Sequence, residues 1–140
     1  MEEAGCRAVL STGWAGLGEG PLPESVFRAG PVDHGRLFPR MAAVMHHGGA
    51  GTTTTTARAG VPQIVVPHGV DQYYWAARMQ SLGVAGPPVP RQRLRAERLA
   101  ESLRAVVDNE MLAVRAAEIA EQVRNAPNEL PDPTTILPSC

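Results

Sequence analysis

The sequence predicts an α/β domain in which a parallel sheet is flanked by helices, and two observations carry that prediction. Short β-rich runs are bounded by glycine and proline, which is typical of buried parallel strands. Helical runs lie between and after them, and strand–helix alternation is the pattern of an α/β sheet. The 140 residues suit one domain with a sizeable core.

The elements follow in order along the chain. Strands are predicted at residues 7–11, 26–29, 43–46 and 63–66. Helices are predicted at residues 51–59, 71–82, 96–107 and 110–123. The third helix shows its period directly, because Leu99, Leu103 and Val106 share one face. We expect that face to pack on the sheet.

The two ends of the chain differ from its middle. Four prolines after Asn125 forbid a continuing helix, so residues 126–140 are predicted to form a flexible tail behind a domain over residues 1–125. The first strand begins within about ten residues of the start. We therefore expect the domain to lack its first strand–helix unit, as a fragment would.

Composition excludes several classes of partner. The formal net charge of −1 offers no broad attraction for nucleic acid or anionic lipid. The sequence contains only Cys6 and Cys140, which indicate neither a disulfide framework nor a cysteine zinc site. The acidic start is unlike a signal peptide, and no apolar run approaches the ~20 residues of a membrane helix. These features favour the cytoplasm.

The stretch AAVMHHGGAGTTTTTARAG, which begins at Ala43, predicts an anion site. An apolar strand ends in two histidines, a glycine turn follows, and a helix opens among threonines. A helix N-terminus offers unpaired N–H groups, and glycines let a phosphate approach the backbone. His47, Thr52 and Thr53 add side-chain donors, so a diphosphate is the expected guest. Alternatively, the threonines form a biased tract that only caps the helix.

Two other interpretations of the glycines and histidines are disfavoured. A dinucleotide site needs G-x-G-x-x-G, whereas Gly49 and Gly51 are followed by Thr54. A metal site is disfavoured because His46 and His47 are adjacent on a strand and point to opposite faces. We expect His46 to lie in or near the core, hydrogen-bonded to backbone, and His47 to contact ligand.

A second constellation, VPQIVVPHGVDQYYWAARM, predicts polar groups at the end of the next strand. Asp71 and Gln72 open the following helix and suit sugar hydroxyls, which need oriented hydrogen bonds; an Asp at a helix start is otherwise a cap. Tyr73, Tyr74 and Trp75 follow as a conceivable sugar platform. We expect at least two of these three to pack in the core.

The motifs HHGGAGT, AGVPQIVVP and DQYYWAARMQSLGV resemble the donor-binding domain of UDP-glycosyltransferase-like enzymes, nearest to bacterial antibiotic and sterol glucosyltransferases. The resemblance implies one half of a GT-B fold, with a Rossmann-like parallel sheet. It assigns the diphosphate to His47, Gly49, Gly51, Thr52 and Thr53, and the sugar to Asp71 and Gln72. The nucleobase and ribose would meet Pro31, Val32 and Thr55. The plant members' tryptophan and ribose-binding glutamate are absent, which leaves UDP and dTDP open.

The resemblance also implies a function. The chain would bind a UDP- or dTDP-sugar as the donor half of an inverting enzyme that transfers a hexose to a hydroxyl of a lipid or natural product. The general base belongs to an N-terminal acceptor domain, so no catalytic residue is assigned to this chain, which alone is not expected to be competent. No metal or cofactor is expected, and a separate acceptor-binding domain or subunit is the expected partner.

Two alternatives stay open beside the donor domain. The chain is otherwise a noncatalytic partner or degenerate remnant that uses its open face to dock another protein, which the absence of catalytic machinery motivates. A nucleotide-sugar epimerase, which can share the two-domain fold, is disfavoured because the antibiotic- and sterol-like motifs point elsewhere.

Overall fold

The computed structural model describes residues 5–11 and 20–125. Four strands are present, namely β1 (Ala8–Ser11), β2 (Val26–Ala29), β3 (Val44–His46) and β4 (Gln63–Val65). β1 pairs with β2 and β3 with β4, both in parallel, and Ala85 adds a parallel bridge beside Gln63. The predicted parallel pairing is therefore confirmed, with β3 and β4 each one residue shorter than expected.

Within the same described ranges, five helices accompany the strands. They are α1 (His34–Leu37), α2 (Ala50–Ala59), α3 (Val70–Ser81), α4 (Ala96–Val107) and α5 (Glu110–Asn125), with short 3₁₀ turns at Phe38–Arg40 and Arg91–Arg93. The four predicted helices are confirmed to within two residues at each end. The single turn α1 escaped prediction because four residues are too few to show a helical period. Asp33 caps it by accepting from the Gly35 and Arg36 N–H groups.

β4 is buried on both faces, and its alternating side chains separate two layers of helices. Ile64 packs against Leu103 and Val106 of α4, with Leu99 beside them, so the predicted apolar face of α4 is confirmed. Gln63 points the opposite way, toward α2 and α3, where its amide nitrogen lies 3.4 Å from the Thr53 carbonyl oxygen. The sheet thus carries helices on both sides.

A second part of the core lies around α3 and α5. Met79 of α3 packs with Val84, Ala116 and Ile119, and these residues join α5 to the rest of the domain. α5 also crosses the end of α2, where Gly60 takes a left-handed φ of 72°. A Cβ on Gly60 would lie 3.2 Å from the Cβ of Ala120, so glycine allows both the turn and the close packing.

The predicted flexible tail, residues 126–140, lies outside the described residues. Within residues 5–11 and 20–125, no helix combines the length and apolar character needed to cross a bilayer.

Candidate donor-binding site

The N-termini of α2 and α3 meet at one edge of the sheet. β3 and β4 are parallel and in register, so that His46 lies beside Val65 and both strands end together. The Val66 N–H continues the pairing by donating to the His46 carbonyl oxygen at 2.8 Å. Because each strand is followed within a few residues by a helix, the two turns lie side by side at the carboxyl end of the sheet, where open α/β sheets bind ligands.

Gly48 lies where these two turns approach each other, beside Val65 and Gln72. It is buried, with a φ of 93°. A Cβ at this position would lie 2.9 Å from Val65 Cγ1 and 3.1 Å from the carbonyl oxygen of Gln72. Both the left-handed backbone and the close approach therefore require glycine. Sequence reasoning selected Gly49 and Gly51 but missed Gly48, although the paired glycines after His47 were the available indication.

The N-terminus of α2 is open to an anion. Its N-cap is Gly49, which has no side chain to cap the helix, and Thr53 N–H is the first to find a backbone acceptor, the Gly49 carbonyl oxygen at 2.9 Å. The N–H groups of residues 50–52 precede that bond, and none of these residues is acidic. A Cβ on Gly51 would meet no heavy atom within 4 Å. The first turn therefore presents donors and space to a ligand.

The ring of His47 lies across this helix start. His47 is exposed, and a Cβ on Gly49 would overlap its Nε2. The absence of a side chain at Gly49 thus lets the imidazole lie over the N-cap. The structure brings His47 and Gly49 together at the start of α2, and Gly51 follows in the first turn of that helix.

The threonines of α2 divide among three environments. Thr52 is half-buried, and its hydroxyl makes no hydrogen bond to any residue that the structure describes. Thr53 is 1% exposed, and its Oγ1 finds no partner within the described ranges. Thr55 is half-buried and donates to the Gly51 carbonyl oxygen at 2.9 Å. The Thr53 hydroxyl is therefore enclosed in the domain, whereas Thr52 is only half-buried.

The start of α3 separates the roles of its two polar residues. Gln72 Oε1 accepts from the His68 N–H at 2.7 Å and from the Gly69 N–H at 3.1 Å, and so caps its own helix. Asp71 is exposed and makes no hydrogen bond within residues 5–11 and 20–125. The cap is thus Gln72 rather than Asp71, whose carboxylate is available to a ligand, while the Gln72 amide nitrogen keeps its donors.

His68 was missed by sequence reasoning and lies beside His47. Both imidazoles are exposed, one from each turn, and their ring centroids are 6.5 Å apart. The spacing of 21 residues hides this proximity, which the parallel pairing of β3 and β4 creates. In the part of the chain that the structure describes, no three His, Cys, Asp or Glu side chains cluster as metal ligands would.

His46 lies beneath the turn, as expected. Its Nδ1 accepts from the Gly48 N–H at 3.0 Å, which confirms the predicted hydrogen bond to backbone, and its Nε2 lies 2.8 Å from Gln63 Oε1. Burial lowers the pKa of His46; the hydrogen bond to Gln63 opposes this effect, and the charge of His47 adds to it. His46 is therefore a neutral structural group rather than a ligand contact.

The two residues predicted for the nucleobase come from a third part of the chain. Pro31 is exposed and Val32 half-buried in the loop between β2 and α1. No hydrogen bond or ring contact among the described residues joins them to His47 or Asp71.

The aromatic run after Gln72 corrects one expectation. Trp75 packs on the core around Met79, but Tyr73 is 40% and Tyr74 64% exposed. The prediction that at least two of the three pack in the core is therefore wrong. Consecutive positions on a helix point about 100° apart, so a run of three cannot share one buried face.

Comparison with known proteins identifies this arrangement. Residues 14–140 match the family described as Erythromycin biosynthesis protein CIII-like, C-terminal domain. The chain belongs to this family. The predicted resemblance to the donor-binding domain of antibiotic and sterol glycosyltransferases is confirmed, and so is the predicted fold.

Two curated relatives show how much of an enzyme this family's domain represents. O-mycaminosyltylonolide 6-deoxyallosyltransferase of Streptomyces fradiae is 48% identical over 105 residues, which cover 75% of this chain and 25% of that protein. A sterol 3-beta-glucosyltransferase of Arabidopsis thaliana is 38% identical over 121 residues, which cover 85% of this chain and 20% of that protein. The chain therefore spans a quarter or less of either relative.

A solved structure agrees with the fold. The glycosyltransferase VinC in complex with dTDP superposes with a TM-score of 0.72 at 34% identity, over 77% of this chain and 27% of that one. The parallel strands and flanking helices are thus shared with glycosyltransferases.

Proposed function

We propose that this chain binds a nucleotide-activated sugar, a UDP- or dTDP-sugar, as the donor half of an inverting glycosyltransferase. The observation that carries the proposal is the meeting of two helix N-termini at one sheet edge, with His47 over the first and an uncommitted Asp71 at the second. VinC, which shares the fold, is named as a complex with dTDP. A diphosphate is negatively charged, whereas a sugar is neutral. The first turn of α2 contains no acidic side chain, whereas the first turn of α3 carries Asp71.

The diphosphate belongs at the start of α2 in this proposal. The N–H groups of residues 50–52, the Thr52 hydroxyl and the His47 ring all supply donors there. Each hydrogen bond to a charged oxygen contributes roughly 1.5–3 kcal/mol, and the helix dipole adds about 0.3–1 kcal/mol. These donors replace the broad positive charge that the chain lacks.

The sugar belongs at the start of α3. Asp71 accepts hydrogen bonds from sugar hydroxyls, and the Gln72 amide nitrogen donates to them while its oxygen caps the helix. Pro31, Val32 and Thr55 remain the proposed contacts of the nucleobase and ribose.

The reaction then divides between two domains. A general base on a separate acceptor-binding domain or subunit removes the proton from the acceptor hydroxyl, whose oxygen attacks the anomeric carbon. The bond from that carbon to the diphosphate oxygen breaks, the diphosphate keeps the electron pair, and attack from the opposite face inverts the configuration. The α2 donors and His47 stabilise the charge that develops on the leaving group.

The proposed acceptor and transferred group rest on the names of relatives, and the proposed location rests on the cysteine content. One relative is named for a sterol acceptor and another for O-mycaminosyltylonolide, so we propose a hydroxyl of a lipid or natural product as acceptor and a hexose as the transferred group. We assign no cofactor to the step. The two cysteines favour a cytoplasmic site of action.

Calorimetry with UDP, dTDP and their sugar conjugates tests the proposal. We expect His47→Ala to weaken nucleotide binding about tenfold, which corresponds to the loss of one hydrogen bond to a charged group. Gln80→Ala, at the exposed far end of α3, is the control and should leave affinity unchanged. If the folded wild-type chain binds neither nucleotide at millimolar concentration, the donor function is rejected.

A further inference from the structure

Gln63 is a buried polar side chain that the proposed function does not use. It has 0% exposure at the start of β4, although an amide is costly to bury unless its polar atoms find partners. Its oxygen lies 2.8 Å from His46 Nε2, and its nitrogen lies 3.4 Å from the Thr53 carbonyl oxygen and 3.5 Å from Met79 Sδ. These contacts connect the core with residues 47–49, the turn between β3 and α2, which we call the donor turn.

The hydrogen bonds along this path have only one consistent direction. A backbone N–H can only donate, so the Gly48 amide requires His46 Nδ1 to be an acceptor. In a neutral imidazole the proton is then on Nε2, which must donate to Gln63 Oε1. With its oxygen so placed, Gln63 directs its amide hydrogens toward the Thr53 carbonyl and Met79. The reverse orientation would put two donors face to face.

We propose that Gln63 is a positioning residue for the donor site: it holds His46 in the tautomer that accepts the Gly48 amide, and thereby fixes the turn that carries His47 and Gly49. The proposal rests on the donor function proposed above. Gly48 lies at a φ of 93° directly between His47 and Gly49, so a change in its amide orientation moves both. His47 is exposed, and this buried path beneath its turn fixes the backbone that carries its ring.

A merely structural role for Gln63 makes a different prediction. If Gln63 only filled space in the core, an apolar residue of similar length would preserve both the tautomer of His46 and the affinity for nucleotide. Gln63→Met is that residue, because it keeps the length and removes the acceptor. Val106→Ala is the matched control, since it trims the core on the opposite face of β4, where α4 packs on Ile64, and touches none of the side-chain contacts of Gln63.

Nitrogen-15 NMR of the histidine rings together with calorimetry tests the proposal. In the wild-type chain at neutral pH, His46 should carry its proton on Nε2. In Gln63→Met we expect a mixed tautomer, a shifted Gly48 amide resonance and about tenfold weaker dTDP binding, as for one lost polar contact. Val106→Ala should change none of these readouts.

The outcomes separate this role from the donor function. An Nδ1–H tautomer or a charged His46 in the wild type overturns the proposal even if Gln63→Met does not fold. Wild-type binding of dTDP with unchanged affinity in folded Gln63→Met overturns the role of Gln63 alone. Failure of the wild type to bind any nucleotide overturns the donor function and this role with it.

Discussion

Asp71 and Gln72 are adjacent in the sequence but have separate roles at the first turn of α3. The side-chain oxygen of Gln72 accepts hydrogen bonds from the N–H groups of His68 and Gly69. Asp71 is exposed, and its carboxylate makes no hydrogen bond within the described residues. An acidic residue in the first turn also interacts favourably with the helix dipole, so Asp71 stabilises α3 modestly even without ligand. Any further contribution of Asp71 comes from hydrogen bonds to a bound ligand.

Asp71→Asn separates sugar recognition from phosphate recognition. We expect this variant to bind UDP and dTDP with unchanged affinity, but to bind the nucleotide-sugar about tenfold more weakly, because a charged acceptor is replaced by a neutral one. Calorimetry with both ligands on one preparation measures the difference, and the free nucleotide is the internal control. An equal loss for both ligands would show that Asp71 does not meet the sugar.

At the residue scale, the sequence identifies chemistry better than orientation. His47 and Asp71 could be selected because their chemistry is rare and stands at the ends of predicted elements. Thr52 and Thr53 could not be separated, because neighbouring threonines look alike until the helix is placed on the sheet and buries Thr53. His68 and Gln63 acquire their roles from contacts across 21 and 17 residues, which no local pattern contains.

Among the elements, the turn from β3 to α2 is constrained at both ends and in its middle. Its start is fixed by pairing with β4, its end by the first bond of α2, and Gly48 between them has no room for a side chain. Helices with a clear period, such as α4, were predicted to the residue, whereas the turn geometry depends on neighbours such as Val65 and Gln72.

Gly48→Ala should therefore destabilise the fold. The left-handed φ costs of order 1–3 kcal/mol for a residue other than glycine, and the contact of 2.9 Å with Val65 Cγ1 adds to that cost. Urea unfolding measures the change in the free energy of unfolding. The matched control is Gly51→Ala, in the first turn of α2, where a Cβ meets no heavy atom within 4 Å.

The control predicts an opposite sign. Alanine is the better helix former, so Gly51→Ala should leave the free energy of unfolding unchanged or raise it by up to about 1 kcal/mol. If both variants lose stability equally, the space around Gly48 is not what distinguishes the two positions.

For the whole molecule, the organisation around β4 connects the core to the site. One face of the strand packs on α4 through Ile64, while the other carries Gln63 to His46 and the donor turn. Because side chains alternate along a strand, β4 contributes to the core through one face and to the site through the other. The sequence predicted β4 and its burial, but three residues between Pro62 and Val66 do not reveal which face is the apolar one.

The titration of His46 links this organisation to the stability of the whole fold. Burial lowers the pKa of His46 below its ordinary value of 6.5, and the charge of His47 acts in the same direction, against the hydrogen bond that His46 donates to Gln63. Well above pH 6.5, both folded and unfolded chains hold a neutral imidazole, and the full stability is present. As the pH falls below that value, the unfolded chain takes up a proton first, so the free energy of unfolding decreases until the folded pKa is reached.

We therefore expect urea unfolding to show a loss of stability as the pH falls through 6.5 that contains a contribution from this single group. His46→Asn removes the titration while its side-chain oxygen still accepts the Gly48 N–H, and should flatten that part of the profile even if it lowers stability at neutral pH. His68→Asn is the control, because it removes an exposed imidazole and leaves the buried one in place. A slope that is identical in all three proteins would mean that the buried imidazole does not couple protonation to folding.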